Sequence, residues 1–313
     1  MYERVVNDQS LKWVSEAWVK DVEDAAGGVS GSDLITFMEI PFDFAVSHRP
    51  GTRFGPAAIL EALNGFSLYC TDKRADLSSL RFRRGAPVPV SNDIHQTYSR
   101  IEEAVTSLPP STMPIFLGGD HSITDPIMRG LLKRSGGQRF GLIVFDAHFD
   151  SRPPVKGQEH SGHWMYTVQE VYSHANSVQL GVNAPIYSRE YMERAERAGV
   201  MVRTPYEIRR DGWLHTLEEA IAHASRNTDG VYVSVDIDCL DRAFAQGTSV
   251  PNGCGLMAYE VADALYEIAR KTKTIGLDIV EVSPPLDDAS NTAEVAAHFV
   301  MNYLAGLTER RRD

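Results

Sequence analysis

The chain has 313 residues, of which 43% are hydrophobic and 23% charged, and its formal net charge is −11. That apolar fraction suits a globular protein and is too high for a disordered chain, which cannot bury enough surface to offset its ordering entropy. The acidic balance argues against nucleic acid as a partner and suits a small cation, and no run of about 18 apolar residues predicts a membrane span.

The opening Met1-Tyr2-Glu3-Arg4, followed by Asp8, Glu16, Asp21 and Glu23, holds no apolar signal-peptide core. Cys70, Cys239 and Cys254 follow no disulfide or zinc-ribbon spacing, which predicts free thiols in a cytoplasmic setting. Residues 1–33 read as an N-terminal extension. Trp13, Val14 and Trp18 share one helical stripe there, and Gly27-Gly28 breaks it. An arm folded onto its own domain is the expected arrangement. Residues 34–313 read as a single domain.

From residue 35 onward, short apolar runs alternate with helical patterns. Residues 35–40 predict a strand, and 56–63 a helix with Pro56 in its first turn. Further strands are expected at 113–117, 140–145, 177–182, 231–235 and 274–282. Helices are expected at 98–108, 126–134, 189–198, 217–224, 259–271 and 292–307. Continuous apolar strands separated by helices imply an α/β fold of three layers, α/β/α, around a central, mostly parallel sheet.

Three of these strands run into clusters of Asp and His. They are Gly118-Gly119-Asp120-His121-Ser122, Asp146-Ala147-His148-Phe149-Asp150 and Asp236-Ile237-Asp238. Ligand sites of open parallel sheets lie at the carboxyl ends of the strands, so the clusters should converge. In extended backbone, alternate residues share a face, which would put Asp146, His148 and Asp150 together and Asp236 with Asp238. Four carboxylates so gathered repel unless cations sit among them. Oxygen-rich donors with two imidazoles suit Mn²⁺ first, then Ni²⁺, Co²⁺ or Fe²⁺, better than a tetrahedral structural zinc. Six donors exceed what one catalytic ion takes, and two ions about 3.5–4 Å apart account for them.

On these residues the sequence resembles the ureohydrolase family of arginases, agmatinases and guanidinobutyrases. Two flanking motifs extend the likeness: Arg49-Pro50-Gly51-Thr52-Arg53-Phe54-Gly55-Pro56, similar to the family's RPGxRxGP loop, and Glu281-Val282-Ser283-Pro284, similar to its EVxP. Pro41-Phe42-Asp43 and the 244–248 stretch look closer to the agmatinase branch. The resemblance implies one ion held by His121, Asp146, Asp150 and Asp236, and another by His148, Asp146, Asp236 and Asp238. It also implies that Asp150 moves a proton, that Glu281 pairs with the guanidinium, and that urea and an amine are released. A homo-oligomer, trimer or hexamer, is implied too, with a hetero-oligomer as an alternative.

Several loops depart from the family pattern. The His-Gly pair whose histidine shuttles protons is met here by His160-Ser161-Gly162-His163-Trp164. His163 is the first candidate and His160 the second; aligning Gly162 with the family glycine would put Ser161 there instead. The family's GxR becomes Gly181-Val182-Asn183, and Asp241-Arg242 replaces an Asp-Pro. Trp164, Met165 and Tyr166 form either a compact apolar pocket or loop core. The expected substrate is therefore a cationic guanidino compound of open identity: agmatine, a guanidino acid, guanidine, or an alkylguanidine or biguanide. Hydrolysis of a formimino group, as in formimidoylglutamase, and a non-catalytic subunit of a hetero-oligomer are the alternatives.

Overall fold

The apolar runs become strands and the periodic segments between them become helices. The computed structural model describes residues 10–19, 34–171 and 176–310; the opening residues 1–4 and the Gly27-Gly28 break lie outside them. In chain order the elements are β1 (Leu34–Ile40), α1 (Gly55–Asn64), β2 (Tyr69–Cys70), β3 (Ala75–Asp76), β4 (Arg81–Arg84), α2 (Ile94–Thr106), β5 (Met113–Gly118), α3 (Thr124–Ser135), β6 (Phe140–Phe145), α4 (Trp164–Val171), β7 (Ser177–Leu180), α5 (Arg189–Arg197), β8 (Met201–Arg203), α6 (Pro205–Asp211), α7 (Trp213–Ala224), β9 (Gly230–Asp236), α8 (Ala258–Lys271), β10 (Thr274–Val280) and α9 (Asn291–Arg310).

Eight strands form one sheet in the order β4-β1-β5-β10-β9-β6-β7-β8, with β2 and β3 apart as a small antiparallel pair. Every pairing in the large sheet is parallel. The strands read as unbroken apolar runs because both faces are covered. In β6, Ile143 and Phe145 join the core under α1, α7, α8 and α9, while Leu142 and Val144 join the core under α2, α3 and α5. Among the described residues, no helix is long and apolar enough to cross a membrane.

Register positions the site. Leu117 of β5 lies opposite Ile279 of β10, Ile279 opposite Val235 of β9, and Val235 opposite Phe145 of β6. These four neighbouring central strands therefore end at one level, and the polar residues that follow each of them meet there.

The Trp13–Trp18 segment is not one helical stripe. Val14–Glu16 is a single 3-10 turn, flanked by bridges from Trp13 to Ser67 and from Trp18 to Phe82. Trp18 donates its indole N–H to Asn64 Oδ1 at 2.7 Å and rests on Phe37 and Phe82, with ring centroids 5.2 and 5.6 Å away. The strand-like pairing buries Val14 completely with its N–H on the Phe66 carbonyl, while the Val19 N–H donates to the Phe82 carbonyl and the Phe82 N–H to that of Ala17.

Candidate metal centre

The Asp146 and Asp236 segments leave their strands through local turns built by their own carboxylates. Asp146 Oδ1 accepts the His148 backbone N–H at 2.6 Å, and Asp236 Oδ1 accepts that of Asp238 at 2.9 Å. Asp238 Oδ1 takes the Ala147 N–H at 3.3 Å, tying the two segments together. One oxygen of each of these three carboxylates is thus used by the backbone. The other points inward.

The expected convergence occurs, but not through extended backbone. Asp150 sits in left-handed conformation at φ 44°, and Asp238 lies in the 3-10 turn Ile237–Cys239. Carboxylate-capped turns, rather than strand alternation, gather the donors. A left-handed non-glycine residue is strained, and two lie here, since Glu281 has φ 63°.

Two donor groups result. His121, Asp146, Asp150 and Asp236 form the first, and Asp146, His148 and Asp238 the second. His121 Nδ1 stands 3.2 Å from Asp146 Oδ2, 3.4 Å from Asp150 Oδ2 and 3.1 Å from Asp236 Oδ2. His148 Nδ1 stands 3.1 Å from Asp238 Oδ2 and 3.5 Å from Asp146 Oδ1. Asp146 belongs to both groups, and Asp236 falls in the first.

The charge balance of this cluster is that of a cation site. Burial pushes the Asp146 carboxyl up, and the Asp150 charge adds to it. Burial, then Asp238 and Asp146, push Asp236 well above the carboxylate range. Burial alone would favour neutral His121, but Asp146, Asp150 and Asp236 outweigh it and raise its pKa well above the ordinary value. Asp150 moves down instead: the opposing His121 contact and the charges of His121, His148 and Arg152 overcome its burial. Among the described residues, no lysine or arginine comes within ion-pair distance of the four aspartates. Buried His121 Nδ1 and Asp146 Oδ2 have no hydrogen-bond partner. Inward, unsatisfied donors of this kind fit divalent ions.

A second tier holds these donors. His121 Nε2 meets Ser234 Oγ at 2.9 Å, and Ser234 donates to Asp278 Oδ1 at 2.6 Å. Asp278 Oδ2 accepts the hydroxyls of Tyr232 at 2.7 Å and Thr124 at 2.9 Å. Trp164 donates its indole N–H to Asp150 Oδ2 at 3.1 Å and packs on the His121 ring at 4.6 Å. Trp164 and Met165 are buried behind the ligands. Sequence reasoning gave Ser234 no role of its own and passed over Asp278, although each is a polar side chain inside an apolar strand.

Glu281 follows β10 and joins the cluster. Its N–H donates to the Gly119 carbonyl at 2.8 Å, and its Oε1 accepts the His121 N–H at 3.0 Å. Its Oε2 is buried without a partner. Burial, then the charges of Asp236 and Asp120, raise its pKa well above the usual range. Gly119 is required here by close approach, because a Cβ would fall 1.6 Å from the Phe42 carbonyl oxygen.

A cavity of about 50 Å³ opens over His148, Asp150, Asp236, Asp238 and Glu281, and Ser161 and Gly162 reach it. His160 and His163 instead line a separate cavity of about 320 Å³. The two rings stack at 3.8 Å. His163 sets Nδ1 on the Arg152 carbonyl and Nε2 on that of Gln158, while His160 Nδ1 accepts the Gly162 N–H. Asn183, at the position of the absent arginine, donates to the carbonyls of Gly253 and Cys254 at 3.1 Å and so ties down the loop that carries them.

Comparison with known proteins agrees with this geometry. Residues 34–306 match the arginase family model. The formimidoylglutamase of Halalkalibacterium halodurans is 34% identical over 268 residues, 84% of this chain and 83% of that protein. The agmatinase of Pyrococcus horikoshii is 29% identical over 302 residues, 93% of this chain and 97% of its own. The crystal structure of formimidoylglutamase from Bacillus subtilis superposes with a TM-score of 0.87 at 26% identity, covering 97% of this chain and 94% of that one.

Proposed function

Since this chain belongs to the arginase family, and is thereby a hydrolase of amidino C–N bonds, we propose that it releases urea and an amine from a guanidino compound at two divalent ions. The observation that carries this reading is the pair of buried donor groups sharing Asp146. His121, Asp146, Asp150 and Asp236 would hold one ion, and Asp146, His148 and Asp238 the other. Mn²⁺ suits this mixture of carboxylates and imidazoles, and Ni²⁺ is the second choice. Bound there, the ions supply Lewis-acid activation of water at neutral pH.

The chain's own residues do the rest. The free Oε2 of Glu281 receives one edge of the planar amidinium, for which a carboxylate is the matching partner. Its other oxygen is locked on the His121 backbone, so the acceptor direction is set before substrate arrives. Water adds to the amidine carbon, the bond from that carbon to the amine nitrogen breaks, and the nitrogen takes a proton. Asp150, steadied by the Trp164 indole, faces the site and delivers that proton in this reading. His160 and His163 keep their described contacts within their own loop.

A second reading is hydrolysis of a formimino group, favoured by the 34% identity to a formimidoylglutamase. The product separates the two: urea from a guanidino compound, formamide from a formimino compound. Metal-stripped protein should be inert, and Mn²⁺ or Ni²⁺ should restore urea release in a screen of guanidino compounds. Full turnover by metal-free protein, or no product from either amidine class after reloading, would sink the proposal.

A further inference from the structure

We propose that the substrate carries a carboxylate on its tail and that Arg152 binds it. The inference rests on the amidine chemistry proposed above and names its substrate class as amidino acids. Among the residues lining the cavity over the ligands, Arg152 is the one lysine or arginine. The carboxylates there are Asp150, Asp236, Asp238 and Glu281, all already assigned to ions or to the amidinium. None is left to receive an ammonium tail. The other polar groups at the mouth are hydroxyls, from Ser47, Ser161, Ser249 and Tyr187.

The Arg152 head is held but not used. Its backbone is pinned on both sides, with its N–H on the Gly162 carbonyl at 3.0 Å and its carbonyl on His163 Nδ1 at 2.9 Å. Its guanidinium lies over the Tyr187 ring, 5.4 Å from the centroid. Gly162 makes room for it, since a Cβ there would come 3.1 Å from Nη1. Yet among the described residues no carboxylate ion-pairs with Arg152, and its side chain makes no hydrogen bond. A stacked arginine with a vacant fork is built for a planar anion such as a carboxylate.

Charge and size point the same way. The four aspartates offset the charge of two divalent ions, so Arg152 is the charge a tail meets at the mouth: it repels a cationic tail and attracts an acidic one. The cavity of about 50 Å³ has room for the amidine head, which leaves the tail at the mouth, where half-buried Arg152 stands.

The test compares matched substrates on Mn²⁺-loaded enzyme: 4-guanidinobutyrate against its amide, and N-formiminoglutamate against its diamide. The wild type should favour each acid by about tenfold to a hundredfold in kcat/KM, the range of a charge-assisted pair. Arg152→Met should collapse that ratio towards one, mainly through KM for the acid, and Arg152→Lys should restore part of it. Collapse of the ratio is not a result that mere loosening of the loop would give. Equal use of acid and amide by the wild type overturns the inference, as does a preference that survives in Arg152→Met. If no amidine is hydrolysed, the reaction assignment fails separately, and titration calorimetry with 4-aminobutyrate and glutamate against their amides decides the subsite. Tighter binding of the acids, lost in Arg152→Met, then supports it; equal binding of acid and amide refutes it.

Discussion

Asp278 and His121 never touch, yet Ser234 links them: its hydroxyl donates to Asp278 Oδ1 at 2.6 Å and meets His121 Nε2 at 2.9 Å. With Nε2 engaged, Nδ1 is the nitrogen left to face Asp146, Asp150 and Asp236. A buried carboxylate two bonds removed thus sets which imidazole nitrogen is offered to a cation. Such outer partners typically govern metal affinity. Asp278→Asn should weaken Mn²⁺ binding about tenfold to a hundredfold, while circular dichroism shows an unchanged fold. Unaltered affinity in a metal titration would mean that the His121 ring is oriented by Trp164 packing alone.

Asp146 is shared by both donor groups and Asp238 belongs to one. Asp146→Asn should therefore remove both ions, and Asp238→Asn only one. Elemental analysis after dialysis reads the difference directly. Activity should fall about a thousandfold or more in Asp146→Asn, as expected when a whole catalytic assembly is lost. Two ions per chain retained in Asp146→Asn would refute the shared-ligand assignment.

Metal removal should also change how stability responds to pH. Asp146, Asp236 and Glu281 have raised folded pKa values, from ordinary values of 3.8 for the aspartates and 4.5 for Glu281. Above those values the folded, metal-free chain holds protons that the unfolded chain has released, so stability falls as pH rises through the folded values. His121 and His148 also have raised values, and their contribution is complete below 6.5 and lost at higher pH. Asp150, whose value is lowered, acts in the opposite direction, but only below 3.8. The gap in Tm between metal-loaded and metal-stripped protein should widen from pH 5 to pH 8. A constant gap in scanning calorimetry would contradict this.

Trp18 reports on the N-terminal segment. Its ring covers Phe37 and Phe82, and its indole N–H reaches Asn64. Trp18→Ala should cost about 2–4 kcal/mol, near the lower range for truncating a core aromatic because the ring is only half-buried. Urea denaturation measures the loss, and the metal content of the folded variant should not change. A loss below about 0.5 kcal/mol would show that residues 10–19 contribute little to the fold.

Much of this was legible beforehand because parallel strands advertise themselves. β6 was read residue for residue at Phe140–Phe145, and the other core strands fell within two residues at each end. Neither edge strand was read: three arginines around Phe82 leave Arg81–Arg84 without an apolar run, and Met201–Arg203 is only three residues long. Helix α6 was missed despite its capping box between Thr204 and Glu207 and Pro205 in its first turn. The candidate donors were legible as strand-end clusters, but the turns that gather them were not. Nothing in a pattern of alternate residues announces that Asp150 adopts φ 44°. Arg152 and Tyr187 were passed over because their meeting depends on how two loops fold over each other.

The flush ends of β5, β10, β9 and β6 have one further consequence. Leu117, Ile279, Val235 and Phe145 come from distant parts of the chain and line up only when these four strands have paired. The first donor group draws on the ends of β5, β6 and β9, so it is complete only once β10 has paired between β5 and β9, whereas the second needs only β6 and β9. The binding energy of a cation in the first group would then be available only after that four-strand pairing. Such a cation would act as a latch on correct assembly rather than as a nucleus for it.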